Sequence, residues 1–489
     1  MNILIVTSEY AGIAKAGGLA DAVTALSSSI AEFNHDVRVT LPFYGSIDSK
    51  QLLDIKLIKK GQFAFANHKL WYKIYELQQN GIKIYLIDNP ILFRQKNGIY
   101  TNIHNDDFPD NLLRFSFFSA ISLNLPSLIG WQPDIFHCHD WATAPLILFL
   151  KTGQYAPQGY NKIRSVFSIH NIGYQGVFTL DKASSIGMSP EAMQDLDIIT
   201  GGAINLMRGA LLHADAITTV SPSYAREIRD TELGYSMETI LKKRQDCFFG
   251  IINGMDYSVW NPQTDRFLPV NFSYKSIEKK KIVKTYLKNK IGLSTDEDRP
   301  LVGMVTRLVH QKGLELLTEP FPGILSKILE DLNIDMVILG TGEGKYHIQL
   351  SKIAETHSNL AVRLEFNEEL AHLIEAGSDF FLMPSIYEPC GLNQMYSLAY
   401  GTIPIVSHRG GLIDTVEEKD MEKGRGTGFF IEPLTKENIY KTIQRAVSLY
   451  YSDPEIIKKI RINAMKKRFD WKKSAKQYVK IYKKIIRSN

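Results

Sequence analysis

A lysine and two glycines stand together near the start of the chain, in Lys15-Ala16-Gly17-Gly18-Leu19. Without Cβ atoms, the backbone at Gly17 and Gly18 can come close to a ligand. Free N–H groups at a helix start, with the positive end of its dipole, suit an anion such as a phosphate. Lys15 adds a full charge at the same place. Taken alone, such a loop is more often a tight turn with a surface lysine.

A second cationic group lies at Arg307 and Lys312, with Gly313 beside them. Arg offers a planar fork and Lys a point charge, a pair suited to a pyrophosphate. Glu388 sits between prolines in Tyr387-Glu388-Pro389-Cys390-Gly391-Leu392, where a carboxylate can hold a sugar or ribose hydroxyl. No histidine is placed to activate Cys390, so its backbone N–H is the better ligand donor. His137-Cys138-His139-Asp140-Trp141 has the residue types of a metal site but no metal-ligand spacing, and no metal is expected. His170-Asn171, with Tyr174 and Gln175 close behind, crowds polar groups suited to a polyol. Gly340-Thr341-Gly342-Glu343-Gly344-Lys345 is neither GxGxxG nor a P-loop, because Tyr346 follows the lysine; it reads as a turn between a strand and a helix.

Strands must carry these groups. Apolar runs at 2–7, 36–41, 82–87, 135–138, 165–169 and 216–220 alternate with helix-period segments. Leu19, Val23, Leu26, Ile30 and Phe33 form one helical face. Ser221 reads as an N-cap with Pro222 at the first helical position. After a polar, lysine-rich stretch at 261–300, closed by Asp296-Glu297-Asp298-Arg299-Pro300, runs at 301–305, 336–339, 362–366, 380–383 and 403–406 restart the pattern. This alternation predicts two α/β halves with all-parallel sheets. Every polar cluster above then follows a strand, at the carboxyl ends where such folds bind ligands. Gly17-Gly18-Leu19-Ala20-Asp21 is echoed by Gly410-Gly411-Leu412-Ile413-Asp414.

The 489 residues suggest more than one domain. Hydrophobic content of 44% and charged content of 22% are those of a soluble globular chain. No run approaches a membrane span, and the N-terminus has no leader pattern; a cytoplasmic location and no membrane partner are expected. Three cysteines without paired spacing argue against a disulfide framework. The net charge of +5 is mild. Its excess at 279–290 and 458–487 reads as solvated helix faces, not as a nucleic-acid surface.

Six motifs in one order then carry a resemblance: KxGGL at 15–19, HxHDW at 137–141, HNxxYQG at 170–176, NGxDxxxWNP at 253–262, RLxxQKG at 307–313 and EPCGLxQ at 388–394. Together they resemble the bacterial glycogen synthases and plastidial starch synthases, over nearly the whole chain. That resemblance implies a GT-B fold: two Rossmann-like domains facing each other across a deep cleft, over 1–262 and 263–455, with a helical segment 456–489 crossing back to the first. It implies transfer of glucose from ADP-glucose to the non-reducing end of an α-1,4-glucan, with retention, domain closure, and neither metal nor cofactor. The alternative is another retaining GT-B transferase with a different sugar nucleotide or acceptor.

By the same resemblance, Lys15, Gly17 and Gly18 contact the sugar nucleotide. Arg307 and Lys312 bind its diphosphate, Phe366 stacks on the base, and the Cys390, Gly391 and Leu392 backbone lies beside the donor. Glu388, His170, Arg307 and Lys312 form the catalytic set. Asp140, Asn171, Tyr174 and Asp21 line the glucose and acceptor side. Ala142, Arg208 and the segment Tyr235-Ser236-Met237-Glu238 depart from the family pattern, which touches acceptor contacts and not the nucleotide clamp.

Overall fold

The computed structural model describes residues 1–48, 52, 54–102, 106–295 and 298–487. Asp296 and Glu297 of the expected boundary lie outside the described residues. The chain divides into two compact units, Met1–Gly254 with Trp471–Asn489, and Met255–Asp470.

In the first unit the strands are β1 (Asn2–Val6), β2 (Asp36–Pro42), β3 (Lys56–Phe65), β4 (His68–Gln79), β5 (Ile82–Asp88), β6 (Ile135–His139), β7 (Arg164–Ile169), β8 (Val177–Thr179), β9 (Ile199–Thr200), β10 (Ala203–Asn205), β11 (Ala216–Thr219) and β12 (Phe248–Gly250). Nine of them form one sheet in the order β12-β11-β7-β6-β1-β2-β5-β4-β3. From β12 to β5 every pairing is parallel. Beyond β5 the sheet turns antiparallel, so the expectation of an all-parallel sheet fails at this edge. The hairpin carries little apolar signal: β3 is exposed over most of its length and rich in lysine, as suits an edge strand. β8, β10 and β9 make a small separate sheet.

Ile3, Leu4, Ile5 and Val6 are fully buried, as a strand covered on both faces requires. The helix Gly18–Ala31 buries Leu19, Val23, Leu26 and Ile30, the predicted stripe, and ends before Phe33. Ser221 caps the helix Pro222–Asp230 as expected, accepting from Tyr224 N at 2.8 Å. Helix Trp471–Arg487 buries Trp471, Tyr478, Tyr482 and Ile485 and keeps its lysines exposed.

The second unit holds β13 (Leu301–Val305), β14 (Asp335–Leu339), β15 (Leu360–Arg363), β16 (Phe380–Met383), β17 (Ile403–Ser407) and β18 (Phe429–Ile431). All pair in parallel, in the order β15-β14-β13-β16-β17-β18. Relative to the reading of 362–366 as a strand, β15 lies earlier and Phe366 falls in the segment beyond it.

The expected boundary does not fall in 261–300, whose described residues pack into the second unit. Trp260 stacks between His372 and Tyr396, with centroids 3.7 and 3.9 Å away. Asp265 accepts from Tyr400 at 2.5 Å and His372 at 2.7 Å. Helix Lys280–Ile291 turns Lys280, Lys284 and Lys288 inward, whereas Lys279, Lys281 and Lys290 stay exposed, so the solvated face expected at 279–290 holds for only half of its lysines. Lys280 Nζ donates to Ala376 O and Thr402 Oγ1, both at 2.6 Å. Lys284 pairs with Asp379 at 2.8 Å and Lys288 with Asp335 at 2.7 Å. A lysine-rich composition hid a buried helix face, because Lys284 and Lys288 meet Asp379 and Asp335 at the starts of strands. The division therefore falls at 254/255, not 262/263. Residues 456–489 are likewise not one segment: helix Pro454–Lys466 stays in the second unit, and only Trp471 onward belongs to the first.

Candidate active site

The parallel part of each large sheet reverses its strand order once, and ligands bind α/β sheets beyond the carboxyl ends of the strands at such a point. In the second unit the reversal lies between β13 and β16. The loops leaving these strands carry Arg307 to Gly313 and Pro384 to Leu392. Lys312 Nζ lies 2.6 Å from Glu388 Oε2, and Ser385 Oγ donates to the same oxygen at 3.0 Å. Ile386 N donates to Gln311 O at 2.9 Å, stitching the two loops together. Gly313, at φ 75°, packs against the Pro384 carbonyl, where a Cβ would collide. Gly411 packs closely against the Cys390 backbone, whereas a Cβ at Gly17 would meet open space. Arg307 is exposed, with Nη2 3.5 Å from Gln311 Oε1. Cys390 is buried, and Gly391, at φ 71°, leads through Leu392 into the helix Asn393–Ala399. Phe366 is 88% exposed. The structure thus brings Lys312 and Glu388 into contact, sets Arg307 on the same loop as Lys312, and leaves Phe366 unpacked.

In the first unit the reversal lies between β1 and β6. The loop after β1 carries Lys15, Gly17 and Gly18. Its amides are not free: Ala16 N and Gly17 N donate to Glu9 Oε2 at 2.7 and 2.8 Å. These amides lie just before the helix, which starts at Gly18 and has no side chain capping its first turn. Lys15 Nζ pairs with Asp21 at 2.8 Å, both groups partly exposed. Asp21, read as an acceptor-side residue, is here the partner of Lys15.

Asp140 ends β6 with φ 56° and ψ 176°, a region that side chains adopt at a cost and that clusters at functional sites. Its Oδ1 accepts from His170 N at 2.7 Å. Burial pushes the Asp140 carboxyl up to about 7, opposed by the His170 and Asn171 amides. His170 Nε2 lies 2.9 Å from His139 Nδ1. His137 bonds Ser168 at 2.7 Å and Tyr482 of the last helix at 2.8 Å. Burial holds His137 and His170 down to about 3 and His139 well below its ordinary value. Asn171 Oδ1 accepts from Gly173 N at 3.0 Å, and Tyr174 is 55% exposed. Asp140, His170 and Asn171 are therefore adjacent, with Tyr174 at the rim. Among the described residues no three His, Cys, Asp or Glu side chains converge as metal ligands would.

Sequence reasoning missed Glu9, Tyr100 and Ser385, and considered His139 only for a metal. Glu9 follows a strand by three residues, and Ser385 begins the Glu388 loop. Position is the one signal that would have found them.

A starch synthase catalytic domain model matches residues 2–243, and a glycosyl transferases group 1 model matches residues 287–467. The glycogen synthase of Treponema denticola is 42% identical over 99% of both chains. The chain belongs to the glycogen synthase family. The glycogen synthase of Geotalea daltonii is 38% identical, again over 99% of both chains. The catalytic domain of starch synthase IV from Arabidopsis thaliana, solved with ADP and acarbose, superposes with a TM-score of 0.88 at 33% identity, covering 99% of each chain. Sucrose-phosphate synthase from Thermosynechococcus elongatus shares the fold, with a TM-score of 0.61 at 15% identity over the whole of both chains. As a glycogen synthase family member, the chain is a glucosyltransferase with the two α/β units of the GT-B fold.

Proposed function

We propose that this chain transfers glucose from ADP-glucose to the non-reducing end of an α-1,4-glucan, with retention of configuration. The observation that carries the reading is the Lys312–Glu388 pair at the strand-order reversal of the second unit, in a chain similar to glycogen synthases along its full length. Breaking a glycosyl–phosphate bond puts positive charge on the sugar and negative charge on the departing diphosphate. Arg307 and Lys312 take that diphosphate, and Lys15 adds its charge to the same donor. Fixed cations stabilise the leaving group without reorganising, so the reaction is proposed to need no metal. Glu388 orients the donor glucose, with the Cys390, Gly391 and Leu392 backbone beside it. Phe366 offers its exposed ring to the base. Asp140, His170 and Asn171 hold glucose hydroxyls, and Tyr174 receives the acceptor.

A cytoplasmic location belongs to the same proposal. Cys138, Cys247 and Cys390 form no disulfide, as a reducing compartment keeps them. No helix among the described residues is long and apolar enough to cross a membrane.

The test is incorporation of labelled glucose into glycogen from ADP-glucose, with UDP-glucose in parallel. ADP-glucose is expected to support elongation, and the product to be cleaved by an α-specific glucosidase. Elongation from UDP-glucose alone overturns the donor, and none from either overturns the function.

A further inference from the structure

Glu9 is 3% exposed and accepts three hydrogen bonds. Oε2 takes Ala16 N at 2.7 Å and Gly17 N at 2.8 Å. Oε1 takes the Tyr100 hydroxyl at 2.9 Å, which lies 2.6 Å from Ser8 Oγ. A buried carboxylate is costly unless paired or hydrogen-bonded. Among the described residues Glu9 forms no salt bridge, so these donors are what offset its burial. Two successive backbone amides aimed at one oxygen make an anion-binding concavity. In this chain an internal carboxylate already fills it.

We propose that Glu9 is a positioning residue for Lys15. The loop then meets a phosphate through the Lys15 ammonium and not through the Ala16 and Gly17 amides. The Lys15–Ala16 peptide plane is fixed because its N–H is held by Glu9. On the outer side, Asp21 pairs with the same lysine at 2.8 Å. The loop is thus tied from inside by one carboxylate and from outside by another, and only the outer tie is solvent-exposed and exchangeable for a donor phosphate. The proposal rests on the reading of Lys15 as a donor contact.

Two measurements test it on the full chain. The first is hydrogen exchange over residues 9–19, which needs no substrate. Glu9→Ala should speed exchange of the Ala16 and Gly17 amides. Glu9→Gln should leave it near wild type, because one amide oxygen can accept both N–H groups while the NH2 faces Tyr100. Unchanged exchange in Glu9→Ala overturns the clamp. The second is a double-mutant cycle on kcat/KM for ADP-glucose. Glu9→Ala should cost ~10²-fold, as a misplaced binding group does, with the larger part recovered in Glu9→Gln. In a Lys15→Ala background the same change should cost no more than about twofold. Losses that multiply overturn the assignment to Lys15. Full activity of Lys15→Ala overturns the donor reading itself, while the exchange data still report on the clamp. If Glu9→Ala does not fold, Glu9→Asp replaces it, since a side chain one methylene shorter cannot reach both amides and Tyr100.

Discussion

Lys312 and Glu388 leave neighbouring strands and meet 2.6 Å apart. Neither loop alone builds this contact; strand order does, because β13 and β16 pair directly although 74 residues separate their ends and starts (380 − 306). A cation and a carboxylate so placed can bind the two ends of one glycosyl phosphate.

Lys312→Ala should therefore lower initial rates of glucan elongation by ~10²–10³-fold while leaving the fold intact by circular dichroism. Arg307→Lys should also lose activity, because a point charge cannot reproduce a planar fork. Wild-type rates in Lys312→Ala would remove the leaving-group assignment.

The Asp140 carboxyl makes a pH prediction with a definite sign. Its folded value of about 7 lies above the ordinary 3.8. The folded state therefore binds the proton more tightly, and stability falls as pH rises from about 4 to about 7, then levels. Asp140→Asn keeps an acceptor for His170 N and loses the charge. Its melting temperature relative to wild type should rise across that window, by the equivalent of at most about 4 kcal/mol. A gap that does not change with pH would contradict this.

The histidine cluster predicts the opposite slope. His137, His139 and His170 stay neutral when folded, whereas unfolded histidines protonate near 6.5. Their contribution to stability is present above that pH and is lost as pH falls below it. Nitrogen-15 spectra of histidine-labelled protein should show three imidazoles that do not titrate between pH 5 and 8. A midpoint near 6.5 for any of them would refute the buried-neutral assignment.

Helix Lys280–Ile291 gives a stability prediction. Burial alone would raise Asp379, yet Lys284 and Arg461 hold it at about 2. Lys284→Met removes one of the two cations and should destabilise the protein by ~3 kcal/mol. Urea unfolding monitors it, with affinity for ADP-glucose unchanged in the folded fraction.

Much of this was legible from the residues. β13 and β16 were read to the residue because their apolar runs are sharply bounded. The chemistry-bearing loops followed, since each leaves a strand at its carboxyl end. What escaped were features that depend on partners distant in sequence. The β3–β4 hairpin is an edge with little apolar face to announce it. The lysines of helix Lys280–Ile291 look solvated until Asp335 and Asp379 are beside them. Glu9 resembles any surface acid until Ala16, Gly17 and Tyr100 close around it.

Tyr482 reaches His137 at the middle of the first sheet, although the whole second unit lies between them in sequence. On the ribosome, residues 255–470 emerge before the helix that completes the first unit. The second unit can thus finish folding while β6 still waits for its last buried partner. Synthesis order makes the second unit the earlier to mature, and a chain interrupted after residue 470 would carry an intact second unit and an unsealed first one.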